Sequence, residues 1–448
     1  MDRRQFSSAV LGAAAAALVP RGTGAAGETP AEPTTPAPKP PLRVNGARLN
    51  ASLAELSRFG RTPEGGVTRV AYNDADRDAR AYVTQLMREA RLEPRVDTAG
   101  NILGRRAGRD ASRKPILFGS HVDSVPDGGN YDGPVGTLAA IEVARTLGEA
   151  GVTTRHPLEV TVWQNEEGGL YGSRLATGEV PERELANVSR SGKTIADGIR
   201  FLGGDPARLA EARRRRGDIA GYLELHIEQG GTLEREKVAI GVVEGIVGIG
   251  QWEVMVAGFA NHAGTTPMDR RQDALLAAAR FVDMVHRVVR ETPGRQVGTV
   301  GRIQAFPGAP NVIPGRVVLT LELRDLDAAK IAQLYARIEG EARAIGEGTG
   351  TTFAYSELHA NVPAPSDPRV RALIEQASRE LGLSTRVMPS GAGHDAQALA
   401  SIGPMGMIFI PSVGGISHSP KEFSHPGDIT NGANVLLHTL LRMDGEGH

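Results

Sequence analysis

Residues 115–150 read PILFGSHVDSVPDGGNYDGPVGTLAAIEVARTLGEA, and this stretch decides the fold. Its first five residues form an apolar run of strand character, and 134–150 has helical spacing with Pro134 in the first turn, where a missing N–H costs nothing. Strand, glycine-rich loop and helix make the repeating unit of an α/β sheet, which binds ligands at the carboxyl edge of its strands. Working outward, 71–91 has the spacing of a helix, while 158–163, 220–225 and 238–243 read as further strands. From about residue 251 the texture changes to strand, helix (269–291), two strands, helix (328–345) and strand, the β-α-β-β-α-β order of the ferredoxin-like plan. The first kind of alternation resumes at Asp367. An α/β domain over 42–250 and 364–448 is therefore expected, interrupted by an α+β domain over 251–363. Residues 245–250 (GIVGIG) lack the spacing of a dinucleotide fingerprint and read as an interdomain hinge.

Composition narrows the chemistry. Across 448 residues, 51 Lys and Arg balance 52 Asp and Glu, which removes any bulk electrostatic case for a nucleic-acid partner. The run Arg213–Arg216 sits beside Glu211 and Asp218 and reads as a solvated helix end rather than a binding patch. There are no cysteines, so disulfides, thiolate metal sites and thiol catalysis are excluded, and any metal must be held by His, Asp and Glu. Residues 1–19 (MDRRQFSSAVLGAAAAALV) pair two arginines with an apolar run too short to span a bilayer. They resemble a twin-arginine export signal, so 1–27 is expected to be a signal peptide, 28–41 a Pro-rich tether, and the protein periplasmic or secreted. No membrane span is expected.

Five of the eleven histidines, His121, His226, His262, His394 and His418, lie in glycine- or acid-rich segments, unlike the other six. His121 follows a strand, and Asp123, two residues on, can orient its ring by accepting the other N–H. Asp132 either bridges two metal ions through its two oxygens or caps the helix that begins at Pro134. Glu166 and Glu167 end the strand 158–163, where adjacent acids repel unless cations neutralise them. Neighbours in an extended chain point to opposite sides, so Glu167 is assigned to metal and Glu166 to the proton as general base. In 224–231 (ELHIEQGG), His226 is a candidate ligand and Gln229 offers a donor and an acceptor to a urea-like group. His418, in 415–420 (GISHSP), completes a set of His121, Asp132, Glu167, His226 and His418. This nitrogen and oxygen donor set suits two divalent ions of zinc, manganese, cobalt or nickel.

Taken together, GSHVDSVPDGGNYDG, NEEGG, HIEQG, NHAGTTPMDRRQDA, NVIPG, ELRD, SGAGHDA and GISHSP resemble the zinc amidase branch of the aminoacylase and carboxypeptidase-like dimetal metallopeptidases. That branch holds N-carbamoyl-L-amino acid hydrolases, β-ureidopropionases and allantoate amidohydrolases. The resemblance runs from about residue 51 to 441. It implies a mixed-sheet, exopeptidase-like catalytic domain with an inserted lid and dimerisation domain, and hence a homodimer. It implies further that His121, Asp132 and His226 hold one ion, and Asp132, Glu167 and His418 the other. His262 would stabilise the oxyanion in a partner subunit's site, Asn311 and Arg324 would clamp the substrate carboxylate, and His394 would touch the substrate. The implied reaction is metal-dependent hydrolysis of the C–N bond of a ureido acid, releasing ammonia and carbon dioxide. An exported peptidase or aminoacylase and a two-domain binding protein are the rival readings, and the residues do not choose among ureido acids.

Overall fold

The structure, a computed structural model, describes residues 41–445; the expected signal peptide and all but Pro41 of the tether lie outside them. Its strands are β1 (Glu93–Val96), β2 (Ile102–Arg106), β3 (Ile116–His121), β4 (Leu158–Trp163), β5 (Gly221–Ile227), β6 (Ile240–Ile246), β7 (Gly248–Ala257), β8 (Asn261–His262), β9 (Val297–Phe306), β10 (Val312–Ile313), β11 (Arg316–Asp325), β12 (Thr352–Asn361), β13 (Ala364–Pro365), β14 (Thr385–Ser390) and β15 (Met405–Ile410). One mixed sheet runs β1-β2-β4-β3-β5-β15-β6-β13, with β14 paired to β6. At its centre β4, β3, β5 and β15 are mutually parallel, so their carboxyl ends share one edge. Every residue of those four strands is buried, the near-continuous apolar pattern of a parallel sheet covered on both faces.

The helix Pro134–Glu149 packs on β3 and beside Gly46–Leu56 and Pro426–Gly445. Its N-cap is Gly133, which has no side chain to offer, so Asp132 is not a capping residue. The helix Gly46–Leu56 and the β1–β2 hairpin were not anticipated, being short and carrying no motif. The expected helix 71–91 is Asp74–Glu89, started by Asn73, whose side chain accepts from Asp76 N.

A second, four-stranded antiparallel sheet runs β12-β7-β11-β9. Alternate residues of β11 (Val317, Leu319, Leu321, Leu323) join Val254 and Val256 of β7 on one face, against the helices Ala274–Glu291 and Ala328–Thr349. The first of these helices begins five residues later than 269 because Asp273 caps it, accepting from Leu275 N and Leu276 N. Only Val247 separates β6 in the first sheet from β7 in the second, so residues 245–250 are two strand ends joined by one residue at the junction of the two sheets. Arg213–Arg216 follow the end of a 3-10 helix, Pro206–Glu211, with Arg213, Arg215 and Arg216 exposed, while Arg214 pairs with the buried Glu159. Among the described residues no helix is long and apolar enough to cross a membrane.

Candidate metal centre

Four parallel strands deliver the candidate ligands to one edge. His121 is the last residue of β3 and His226 the penultimate residue of β5; both rings are buried. Each ring donates through Nδ1 to a backbone carbonyl, His121 to Asp123 O at 3.0 Å and His226 to Ile227 O at 2.9 Å. That choice of tautomer leaves both Nε2 lone pairs facing a common gap. Asp132 Oδ1 stands 3.1 Å from His226 Nε2 and 3.8 Å from His121 Nε2, yet neither buried nitrogen completes a hydrogen bond. On the other side of Asp132, Oδ2 is 3.2 Å from His418 Nε2, which in turn is 3.5 Å from Glu167 Oε1. Two triads thus share Asp132: His121, Asp132 and His226, and Asp132, Glu167 and His418, with the donor atoms of each within 4.8 Å of one another.

The loop between β3 and its helix brings Asp132 back over His121. Gly133 makes that return possible: its φ is +80°, and a Cβ there would lie 2.4 Å from the His121 ring. Glu166 and Glu167 are not extended, contrary to expectation. Asn165 takes a left-handed conformation (φ +51°) after β4 ends, and Gly169 N and Leu170 N close turns on Glu166 O. Asp123 fixes that turn, its carboxylate accepting from Glu166 N at 3.2 Å and Glu167 N at 3.1 Å. The ring of His121 is therefore oriented by the backbone carbonyl of Asp123 and not chiefly by its carboxylate, which is 3.7 Å away. Glu166 Oε2 lies 3.6 Å from His121 Nε2, beside the triads.

The electrostatics describe a place built for cations. Burial, then Asp395, Glu167 and Asp132, raise the Glu166 carboxyl well above the usual range; burial and Asp132 push Glu167 up to about 8. Burial alone would raise Asp132, but the neighbouring His226 and His418 rings hold it well below its ordinary value. Burial lowers His121 to about 4, whereas His226, nearer Asp132, is raised to about 9 against its own burial. His418 is likewise raised to about 9, first by its bond to Asp132. The field that draws protons onto these imidazoles is one that divalent cations would answer, and the hard and borderline donors fit such ions.

The remaining candidates divide. Arg324, His394 and Gln229 line a cleft of about 1190 Å³ together with Asp132, Glu166, Glu167 and His418. Small-molecule sites usually enclose roughly 300–1,000 Å³, so the cleft has room for more than a ureido group. Gln229 donates through Nε2 to Asp132 Oδ2 at 2.6 Å, which leaves its buried Oε1 without a partner. His394 packs edge-on against His226, ring centroids 4.4 Å apart, and its Nε2 meets Ser390 Oγ at 2.8 Å. Arg324 pairs with Glu322 at 2.7 Å and donates to Gly391 O at 2.6 Å; Asp325 pairs instead with Lys330. His262 and Asn311 do not line the cleft. They lie at the β8–β10 ribbon, where His262 pairs with Val312 and Ala263 N donates to Asn311 O at 3.0 Å, and His262 is exposed, its Nδ1 accepting from Gly264 N and Thr265 N.

Two buried acids were missed, Glu224 at the head of the His226 segment and Glu422 in a polar loop. Glu224 joins three histidine-bearing segments, accepting from Ser120 Oγ at 2.7 Å and Ala396 N at 3.0 Å. Glu422 accepts from Tyr131 N, Asp132 N, Ser417 Oγ and His418 N. His359, which looked ordinary in sequence, also lines the cleft.

Comparison with known proteins fits this geometry. Residues 117–442 match the pattern of peptidase family M20/M25/M40. The chain is 41% identical over 405 residues to an N-carbamoyl-L-amino acid amidohydrolase of Geobacillus stearothermophilus, covering 89% of this chain and 99% of that protein. It is 37% identical over 420 residues to a ureidoglycolate hydrolase of Arabidopsis thaliana, covering 90% and 87%. Among solved structures, a hydantoinase/carbamoylase family amidase from Burkholderia multivorans superposes with a TM-score of 0.84 at 39% identity, covering 91% of this chain and all of that one (100%).

Proposed function

The chain belongs to peptidase family M20/M25/M40, and from that premise we propose that it is a two-metal amidohydrolase cleaving the ureido C–N bond of N-carbamoyl-L-amino acids or kindred ureido acids, with release of ammonia and carbon dioxide. One observation carries the reading: two ligand triads meet at Asp132 with a further buried acid, Glu166, at their side. Bound there, divalent ions would polarise the ureido carbonyl and acidify a water. Zinc suits the donors best, with manganese, cobalt and nickel as alternatives.

The protein's own groups do the rest. Glu166 takes the proton of the attacking water at a carboxylate oxygen and returns it to the departing nitrogen. Burial of its carboxyl favours proton uptake, which suits a general base. Gln229 Oε1, buried and unpartnered, accepts from the ureido NH2. The Arg324 guanidinium offers a planar fork to the substrate carboxylate, a match that lysine lacks. His394 borders the bound substrate beside His226. His262 and Asn311, outside this chain's cleft, serve the site of a partner subunit in a homodimer joined through the smaller sheet, with His262 at the oxyanion.

The test is a substrate panel on chelator-stripped protein reloaded with each of the four metals. N-carbamoyl amino acids, β-ureidopropionate, ureidoglycolate, allantoate and dipeptides are offered, and ammonia and primary amine are recorded together. Metal-dependent ammonia release from a ureido acid is expected. New amine from dipeptides with no ammonia from any ureido acid would reassign the chain as a peptidase, and full activity in stripped protein would end the metal reading.

A further inference from the structure

We propose that Glu422 is the positioning residue on which one of the two ion positions depends, so that the ion held by Asp132, Glu167 and His418 is the weaker bound and the first to leave. The inference rests on the two-metal reading above and follows from how differently the two triads are supported.

His121 and His226 belong to β3 and β5, adjacent strands of the central sheet, and each ring is tied by Nδ1 to a carbonyl of its own strand end. Strand pairing and complete burial locate them before any ion arrives. Their partners in the other triad have no such frame. Glu167 sits in the turn after β4, and His418 lies in the loop after β15, its side chain half exposed and its backbone in the left-handed region (φ +54°), which a non-glycine residue adopts only under local constraint.

Glu422 supplies that constraint. One oxygen of its buried carboxylate accepts from Tyr131 N at 2.9 Å and Asp132 N at 3.0 Å; the other accepts from Ser417 Oγ at 2.8 Å and His418 N at 3.3 Å. A single side chain therefore fastens the loop of the shared acid to the loop of His418. The Ser417 hydroxyl, also 2.9 Å from Asp132 Oδ2, lies between the two carboxylates with one proton to share. The glycine-rich loop is shaped around this acid: a Cβ on Gly129 would lie 2.1 Å from Glu422 Oε1. Asp123 plays the matching part for Glu166 and Glu167, but nothing comparable to Glu422 is needed by His121 or His226. Loss of Glu422 should thus loosen the triad of His418 most; the other is held by its two paired strands, and its Asp132 still accepts from Gln229.

The experiment titrates Co2+ into chelator-stripped, full-length protein by calorimetry, with the visible cobalt spectrum recorded in parallel, for wild type, Glu422→Ala and Glu422→Gln. Glutamine keeps the volume and one acceptor oxygen for Tyr131 and Asp132, but it turns an amide toward His418 N. Wild type is expected to bind two ions in two steps. Both variants should weaken the second step about 10- to 100-fold, alanine more than glutamine, as losses of groups that orient metal ligands generally do, and should weaken the tighter step far less. The melting temperature of the ion-free protein should fall with alanine, which strands four donors, and less with glutamine. If alanine does not fold, glutamine decides. Equal weakening of both steps, or two unchanged steps, in folded protein would overturn the role of Glu422 while the two-metal reading stands. A wild type binding fewer than two ions would overturn that reading, and this inference with it.

Discussion

Charge is buried in one sheet of this protein and absent from the core of the other. At and around the carboxyl edge of the nine-stranded sheet, His121, Asp123, Asp132, Glu166, Glu224, His226, His394, Asp395 and Glu422 are all buried. Among the described residues of 248–361, the buried polar side chains are Gln296, Thr349 and Thr351, none charged. The core between the four-stranded sheet and its helices is aliphatic and aromatic throughout. An isolated buried charge costs several kcal/mol, so a fold that gathers so many at one edge spends stability there for a use. The smaller sheet follows the ordinary rule for a stable core. One region is organised around chemistry and the other around packing.

That contrast can be broken by mutation. The largest expected effect is that of Glu166→Gln, which should lower kcat by about 10²–10⁴-fold while elemental analysis finds the metal content unchanged. Near-normal turnover would remove the base assignment and with it the reason for burying that acid. Next, Phe281→Ala in the core of the smaller sheet should cost about 3–5 kcal/mol in denaturant unfolding. The ions bound per folded molecule should not change, and a fall in stoichiometry would show the two regions to be one unit. Arg324→Ala touches the seam, since its side chain springs from β11 yet lines the cleft. It should raise KM for carboxylate substrates about tenfold, the scale of one charged hydrogen bond, with a smaller effect on kcat. An unchanged KM would return Arg324 to a structural pair with Glu322. The smallest effect belongs to Asp273→Ala, which removes the N-cap of Ala274–Glu291 and should cost about 1 kcal/mol by denaturant midpoint without altering turnover.

Much of this was legible in the chain because the signals are local. A glycine- and acid-rich segment after an apolar run marks the carboxyl end of a strand, and four such segments carry His121, Glu167, His226 and His418. The change of texture near residue 251 has a local cause as well: period-2 strands alternate with long amphipathic helices, one of them Ala274–Glu291. What escaped was relational. Glu166 and Glu167 look like the end of a strand, and only the left-handed turn at Asn165 redirects them. Asp123 has the right spacing to meet His121 with its carboxylate, but two backbone N–H groups of another segment claim that carboxylate first. Glu422 resembles any acid in a polar loop until Tyr131 and Asp132, some 290 residues away, donate to it.

Periodicity, glycine placement and the absence of cysteine were enough to read most element types, the division of texture between two sheets and a set of candidate nitrogen and oxygen donors. Only the tertiary structure decided that one aspartate stands between two triads, that a second acid ties their loops together, and that His262 and Asn311 lie apart from Arg324. Those outcomes depend on how distant backbone donors are shared among buried carboxylates, and each N–H that one acid accepts is withdrawn from the others.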